Sequence, residues 1–163
     1  MTREPSRTTA HGAVPPLHLN PRAIAWVFGG GVLGAYARYT VSLAVPVPGG
    51  WPLATVLINV LGAFLLGLLL EALIRRGSDV GWARRFRLLG GTGFLGAFTT
   101  YSTFAVDVVH LLQAGRLVGA FGYLAATLLL GGAATALGIW LATLAHRLRE
   151  TRREDRATAG GRP

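Results

Sequence analysis

The chain has 163 residues, of which 52% are hydrophobic and only 14% are charged, whereas soluble domains carry about 25% charged residues. All 16 cationic residues are arginines, the formal net charge is +9, and there is no cysteine. This composition predicts an integral membrane protein without a disulfide framework or a thiolate metal site. Nucleic acid is not an expected partner, because the arginines cluster beside apolar segments and no nucleic-acid-binding motif accompanies them.

Four apolar segments are each long enough to cross a bilayer core, which takes about 20 residues. We expect these spans over residues 23–45, 53–74, 88–112 and 117–145. Because the connections are short, they predict one all-α membrane domain, residues 23–146, of four antiparallel helices in contact with lipid. The polar segments on either side, residues 1–22 and 147–163, are expected to be disordered tails.

The arginines are distributed unevenly between the two sides of the membrane. With four spans, both termini and the second loop lie on the same side, and they hold every arginine except Arg38 and Arg116. Because loops rich in arginine stay in the cytoplasm, this bias predicts that both termini are cytoplasmic.

The third span contains the run Thr92-Gly-Phe-Leu-Gly-Ala-Phe-Thr-Thr-Tyr-Ser-Thr-Phe104. Lipid cannot satisfy exposed backbone groups, so glycines and hydroxyls at this density predict a weakened helix that faces protein or a water-filled path. A break frees carbonyl oxygens that suit Na⁺, and it leaves half-helix ends whose dipoles can face an anion. The alternative is an ordinary packing face of Thr and Ser with two core aromatics.

Three other polar residues lie within the apolar spans. Arg38 would cost about 2.5–3.5 kcal/mol at a helix centre, so it either lines an aqueous vestibule or extends to the interface. The Asn59 amide either donates to an anion or forms an interhelical hydrogen bond. Asp107, one turn beyond Phe104, is expected to pair with an arginine or an opposing helix dipole.

Three motifs together resemble those of the Fluc (CrcB) family of bacterial fluoride channels. They are Gly34-Ala-Tyr-Ala-Arg38, Thr55-Val-Leu-Ile-Asn59 followed by Gly62, and the run from Thr92 to Phe104. The resemblance covers residues 23–144. It implies a fluoride-specific channel, not an enzyme, for passive fluoride efflux across the bacterial plasma membrane.

The resemblance also implies a third helix that is broken near its middle and a dimer of antiparallel subunits with two fluoride pores. A structural, non-transported Na⁺ at the dimer centre would be held by backbone carbonyls, which match Gly96 and Thr99 here. The matching residues of the fluoride pathway are Asn59, Tyr101, Phe104, Ser102 and Thr103. Arg38 matches the vestibule arginine, and Thr127 is the candidate for a polar pore residue in the fourth span. No catalytic residue is expected.

This chain departs from the family pattern in three ways, of which the mildest is that Ala54 and Ala97 replace glycines usual in the family. The family sequence reads Thr-Thr-Phe-Ser-Thr-Phe, and Tyr101 replaces its first phenylalanine. The arginine bias is also stronger than in members that insert in both orientations, so we expect dimerisation with an oppositely oriented homologous chain. Two other functions stay open, namely a non-conducting subunit of a heterodimeric channel and a proton-coupled multidrug transporter, which needs a membrane-embedded carboxylate.

Overall fold

The computed structural model describes residues 19–77 and 80–160, and within these ranges it contains helices and no strand. We call the long α-helices α1, α2, α4 and α5, which span Pro21–Ala44, Leu53–Ile74, Tyr101–Gln113 and Leu117–Gly160. Between α2 and α4 lies α3, a helical run of three consecutive segments: an α-helix Gly81–Phe86, a π-helix Arg87–Leu95 and an α-helical turn Gly96–Phe98. A short 3₁₀ helix, Pro48–Gly50, connects α1 to α2.

Three stretches of the described chain are helical, long and apolar enough to cross a membrane. They are Leu53–Ile74, Gly81–Gln113 and Leu117–Arg153. The second, third and fourth predicted spans are therefore confirmed as helices of the required length and composition. The first segment is helical as predicted, but α1 is not among the three. Its crossing, and with it the four-span topology, stays a prediction.

The C-terminal end of α5 differs from the predicted disordered tail. The tail was expected from residue 147, whereas the helix continues to Gly160. Residues 147–159 contain neither glycine nor proline and are mostly Arg, Glu, Ala and Leu, which are strong helix formers. Extending an existing helix also avoids the cost of nucleation. Residues 1–18 of the predicted N-terminal tail lie outside the described residues, and α1 begins at Pro21, capped by Asn20.

Helices α1 and α3 cross with their backbones in contact. A Cβ added to Gly93 would lie 2.5 Å from the carbonyl oxygen of Val27 and 3.0 Å from Cα of Gly30. A Cβ added to Gly30 would run into the backbone of Leu89. Small residues allow such close approach between membrane helices, and here they set α1 directly against the π-helical part of α3.

The helix ends are tied together by arginine side chains. At one end of the bundle, Nη1 of Arg116 donates to the carbonyl oxygen of Gly49, 2.7 Å away. At the other end, Nη2 of Arg75 donates to Oγ1 of Thr143 at 3.0 Å, which joins the end of α2 to α5. The Arg76 guanidinium lies 4.8 Å from the ring centroid of Trp82, at the start of α3. The arginines that follow α2 therefore lie beside both α3 and α5.

The glycine contact between α1 and α3 can be tested by substituting Gly30 with alanine. Because the added methyl group meets backbone rather than a movable side chain, Gly30→Ala should lower the free energy of unfolding by about 1–3 kcal/mol. Gly29 is the matched control, since a Cβ there meets nothing within 4 Å. Gly29→Ala should be neutral or stabilising by up to about 1 kcal/mol. Denaturant unfolding in detergent measures both, and equal effects would contradict the proposed contact.

Candidate functional site

The predicted break in the third span is present at Thr99 and Thr100. Helix α3 ends at Phe98 and α4 begins at Tyr101. Between them the backbone is extended, with φ −73° and ψ 157° at Thr99 and φ −147° and ψ 122° at Thr100. Thr100 is buried, so its N–H and C=O groups need partners within the protein.

The side-chain amide of Asn59, on α2, provides both of those partners. Its Nδ2 donates to the carbonyl oxygen of Thr100 at 3.0 Å, and its Oδ1 accepts from the N–H of Thr100 at 2.9 Å. The interhelical hydrogen bond, one of the two roles considered for Asn59, is thus formed. One hydrogen of Nδ2 has no acceptor among the described residues, so it is available to a ligand.

Two threonine hydroxyls terminate the helices on either side of the break. Oγ1 of Thr99 donates to the carbonyl oxygen of Leu95 at 2.9 Å, at the end of α3. Oγ1 of Thr100 accepts from the N–H of Thr103 at 3.1 Å and thereby caps α4; such a cap contributes about 1 kcal/mol. Thr100 was not among the predicted site residues. Its position directly before the helix, three residues ahead of Thr103, is the capping pattern that could have identified it.

The break leaves the backbone carbonyls of residues 96–99 without their α-helical donors, the N–H groups of residues 100–103. The N–H of Thr100 would bond to the carbonyl of Gly96 in a continuous helix, but it bonds to Asn59. The N–H of Thr103 would bond to the carbonyl of Thr99, but it bonds to Oγ1 of Thr100. Gly96 and Thr99 are the two residues whose carbonyls were predicted to hold Na⁺. Free carbonyl oxygens are the hard donors that such a cation requires, so the residues present fit the predicted ion.

On one side of the break lies a cavity of about 290 Å³. It is lined by Arg38 of α1, by Thr55 and by the hydroxyl residues Thr100, Ser102 and Thr103. Oγ1 of Thr103 accepts a hydrogen bond from Thr100 at 3.0 Å, so its own proton remains free to be donated. Arg38 therefore shares a cavity with the predicted hydroxyl residues Ser102 and Thr103.

On the other side of the break lies a cavity of about 380 Å³, lined by Asn59, Thr99, Tyr101, Phe104 and Thr127 among others. The rings of Tyr101 and Phe104 are 6.2 Å apart and tilted by 44°. They differ in burial, since Tyr101 is 81% exposed and Phe104 only 9%. Oγ1 of Thr127 donates to the carbonyl oxygen of Tyr123 at 2.8 Å. Its hydroxyl would have to rotate before it could donate to an ion in the cavity.

Asp107 interacts with hydroxyls; of the two partners considered for it, an arginine and a helix dipole, the arginine partner is not found among the described residues. Its Oδ2 accepts from Oγ1 of Thr55 at 2.7 Å and from the hydroxyl of Tyr123 at 3.1 Å. Within the described ranges it makes no ion pair. Tyr123 is fully buried and packs against Phe104, with ring centroids 5.3 Å apart. The carboxylate on α4 thus forms hydrogen bonds with side chains of both α2 and α5. Sequence reasoning did not identify Tyr123, which carries no motif signal of its own.

The predicted site residues therefore fall into two groups that meet at Thr100, the residue common to both cavities. Arg38, Ser102 and Thr103 lie on one side. Asn59, Tyr101, Phe104, Thr99 and Thr127 lie on the other. Gly96 precedes the break by one turn and is exposed on the surface of the subunit.

Comparison with known proteins gives consistent matches. Residues 25–139 match the family described as CrcB-like protein, Camphor Resistance (CrcB). The chain is 49% identical over 126 residues to a Leifsonia xyli subsp. xyli protein named Fluoride-specific ion channel FluC 2, covering 77% of this chain and 87% of that one. It is 41% identical over 117 residues to a Fluoride-specific ion channel FluC from Ignicoccus hospitalis, covering 72% and 92%. It is 40% identical over 146 residues to Fluoride-specific ion channel FluC 3 from Streptomyces avermitilis, covering 88% and 70%.

The role of Asn59 in holding the break can be tested with Asn59→Leu. Leucine removes both bonds and leaves the buried N–H and C=O of Thr100 without partners, so the free energy of unfolding should fall by about 2–4 kcal/mol. Tyr101→Phe is the control, because the Tyr101 hydroxyl makes no hydrogen bond within the described residues; it should change stability by less than about 0.5 kcal/mol. Denaturant unfolding in detergent compares the two. A loss below about 1 kcal/mol for Asn59→Leu would contradict this role, because leaving even one buried polar group without a partner costs about 1–3 kcal/mol.

Proposed function

The chain belongs to the CrcB family, and from that premise we propose that it is a fluoride-specific ion channel that passes fluoride passively out of the cytoplasm. The relatives named above supply the ion and the channel activity. One observation on this chain carries the proposal: the break between α3 and α4 has a cavity on each side, and both cavities are lined by hydrogen-bond donors. None of the three relatives is named a drug transporter, so we do not propose that alternative.

The residues around the break have the chemistry that fluoride permeation needs. Fluoride is small and strongly hydrated, so a pore must replace its water with other donors that still release the ion. The free proton of Thr103, the second amide hydrogen of Asn59 and the positive ring edges of Tyr101 and Phe104 can do this. The described residues that line the two cavities include no carboxylate. In the proposed path, an anion passes from the Arg38 cavity to the aromatic cavity or in the reverse direction.

Arg38 has a separate part in this proposal, because it carries charge rather than neutral donors. Its guanidinium lines the first cavity and makes no ion pair within the described residues. A cation at the mouth of a low-dielectric path raises the local concentration of anions. We assign Arg38 to the vestibule and the neutral groups to the narrow part of the path, where a full charge would hold the ion too strongly.

The carbonyls of Gly96 and Thr99 are the proposed ligands of a structural Na⁺. One chain contributes two such oxygens, which are too few to replace a hydration shell. A second subunit placed with its own break against this one would complete the set. The ion would neutralise the partial negative charge of the freed carbonyls and would fix the two subunits together, without itself being transported.

We further propose that both termini lie in the cytoplasm and that the dimer partner is an oppositely oriented homologous chain. The arginine bias supports the orientation. Arg75 contacts α5 and Arg76 contacts α3, so these arginines lie together at one end of the helices. A chain that inserts in one orientation only cannot form an antiparallel dimer with a copy of itself. The second subunit must then carry the opposite bias.

Fluoride efflux from liposomes tests the channel proposal. The purified chain, alone or reconstituted with an oppositely oriented homologue, should release fluoride much faster than chloride, as followed with ion-selective electrodes. Thr103→Val removes a free hydroxyl donor while nearly keeping the side-chain volume. It should slow efflux by about tenfold or more, because a hydrogen bond to a charged group contributes about 1.5–3 kcal/mol. Thr40→Val is the control, because the Thr40 hydroxyl donates to the carbonyl of Ala37 and lines neither cavity. Efflux no faster than from empty liposomes in both reconstitutions would refute the channel.

Compartment-specific reporters test the orientation. A fluorescent protein that matures only in the cytoplasm, fused after Pro163, should fluoresce in all correctly inserted chains. A phosphatase active only outside the cytoplasm should be active when fused at Gly115, in the connection that holds the lone Arg116. Comparable signals from both reporters at one position would contradict a single orientation. They would also favour a homodimer over the proposed pair of homologues.

A further inference from the structure

A third cavity lies away from the helix break, between the end of α2 and the C-terminal part of α5. It has a volume of about 580 Å³. Four arginines line it: Arg75 and Arg76 from α2, and Arg149 and Arg153 from α5. Glu150 is the one carboxylate among its described lining residues. The cavity therefore has a strong excess of positive charge, which the proposed ion path does not use.

The arginines are not equally available to a ligand. Arg75 is paired with Glu71 and with Thr143, and Arg76 lies over the ring of Trp82. Arg149 and Arg153 are exposed and make no ion pair within the described residues. The side chains at 142, 146, 149 and 153 follow helical spacing, so one face of α5 runs from the apolar contact with α2 directly into the basic rim.

The floor of the cavity is apolar. Leu68, Ala72, Ala142 and Ala145 line it on the side toward the apolar parts of α2 and α5. Both helices belong to the stretches apolar enough to cross a membrane. The cavity thus lies where a spanning helix leaves the bilayer, with apolar walls toward the hydrocarbon and guanidinium groups toward the head groups. A ligand that fits both parts has a phosphate and an acyl chain.

We propose that this arginine pocket binds the phosphate group of an anionic phospholipid, such as phosphatidylglycerol. Guanidinium groups bind phosphate oxygens through paired hydrogen bonds, and basic pockets between membrane helices bind anionic head groups. The apolar floor favours a lipid over free inorganic phosphate, which would gain nothing from Leu68 and Ala142. The inference needs only that the chain lies in a membrane, so it holds or fails independently of fluoride conduction.

The test compares lipid retention by two double variants of the full chain. Each protein is reconstituted with equal amounts of phosphatidylglycerol and phosphatidylcholine, extracted with detergent, and its retained lipid is measured by mass spectrometry. Arg149→Gln with Arg153→Gln should reduce retained phosphatidylglycerol by about tenfold or more, since each arginine near the surface contributes substantially to binding anionic lipid. Arg152→Gln with Arg156→Gln is the matched control, because it removes the same charge from the same helix outside the pocket.

Each outcome of this test bears on the proposal. Phosphatidylglycerol retained by the wild type and by the control variant, but lost from the pocket variant, supports it. Equal losses from both variants would indicate diffuse attraction and overturn it, as would wild-type protein that retains the two lipids equally. Thermal stabilisation in lipid-free detergent by sodium phosphate, matching that by phosphatidylglycerol at equal ionic strength, would identify free phosphate as the ligand instead. Circular dichroism and elution volume establish that the variants are folded. The single variants Arg149→Gln and Arg153→Gln should each lose an intermediate amount of phosphatidylglycerol.

Discussion

The arrangement of the candidate site depends on one buried peptide group, that of Thr100. A membrane helix cannot be interrupted unless the freed backbone groups find partners inside the protein, because lipid provides none. The side chain of Asn59 supplies both partners from the neighbouring helix. Gly62, close to Asn59 on α2, has no Cβ and so leaves room for the side chain of Thr99. Helix α2 is therefore the element that makes the break in the third span tolerable.

The same break produces surfaces that suit ions of opposite charge. At the end of α3, the carbonyls of Gly96 and Thr99 lose their donors and present partial negative charge. At the start of α4, Tyr101, Ser102 and Thr103 lie at the positive end of a helix dipole. A cation site and an anion path can thus be neighbours without sharing ligands. The carboxylate of Asp107 lines neither cavity, and it accepts hydrogen bonds from Thr55, which lines the Arg38 cavity, and from Tyr123.

The parts of this structure that sequence predicts well are those with a local physical signal. The span at 53–74 is a continuous apolar run, and the coincidence of glycines with hydroxyls at 92–104 indicated a weakened helix. The partners of Asn59 and Asp107 were not predictable in the same way, because an amide or a carboxylate within an apolar span needs some partner but does not specify which. Tyr123 lies far along the chain from Asp107 and is brought to it only by the packing of α5 on α2 and α4. The helix over residues 147–160 was not predicted, because a polar, highly charged composition is typical of disordered tails, although most of these residues also have high helix propensity.

The arginines illustrate how one residue type serves different purposes according to depth. Arg38 lies within the first helix and lines a cavity together with neutral hydroxyls, where we propose that its charge attracts anions. Arg75, Arg76, Arg149 and Arg153 lie near the ends of two apolar helices, where, in the proposed orientation, the same charge would meet head groups and the cytoplasmic surface potential. The arginine bias from which we propose the orientation also gives the folded chain a dense positive surface. Binding of anionic lipid would neutralise that surface, so the charge that orients the chain would not repel the like-charged ends of its own helices.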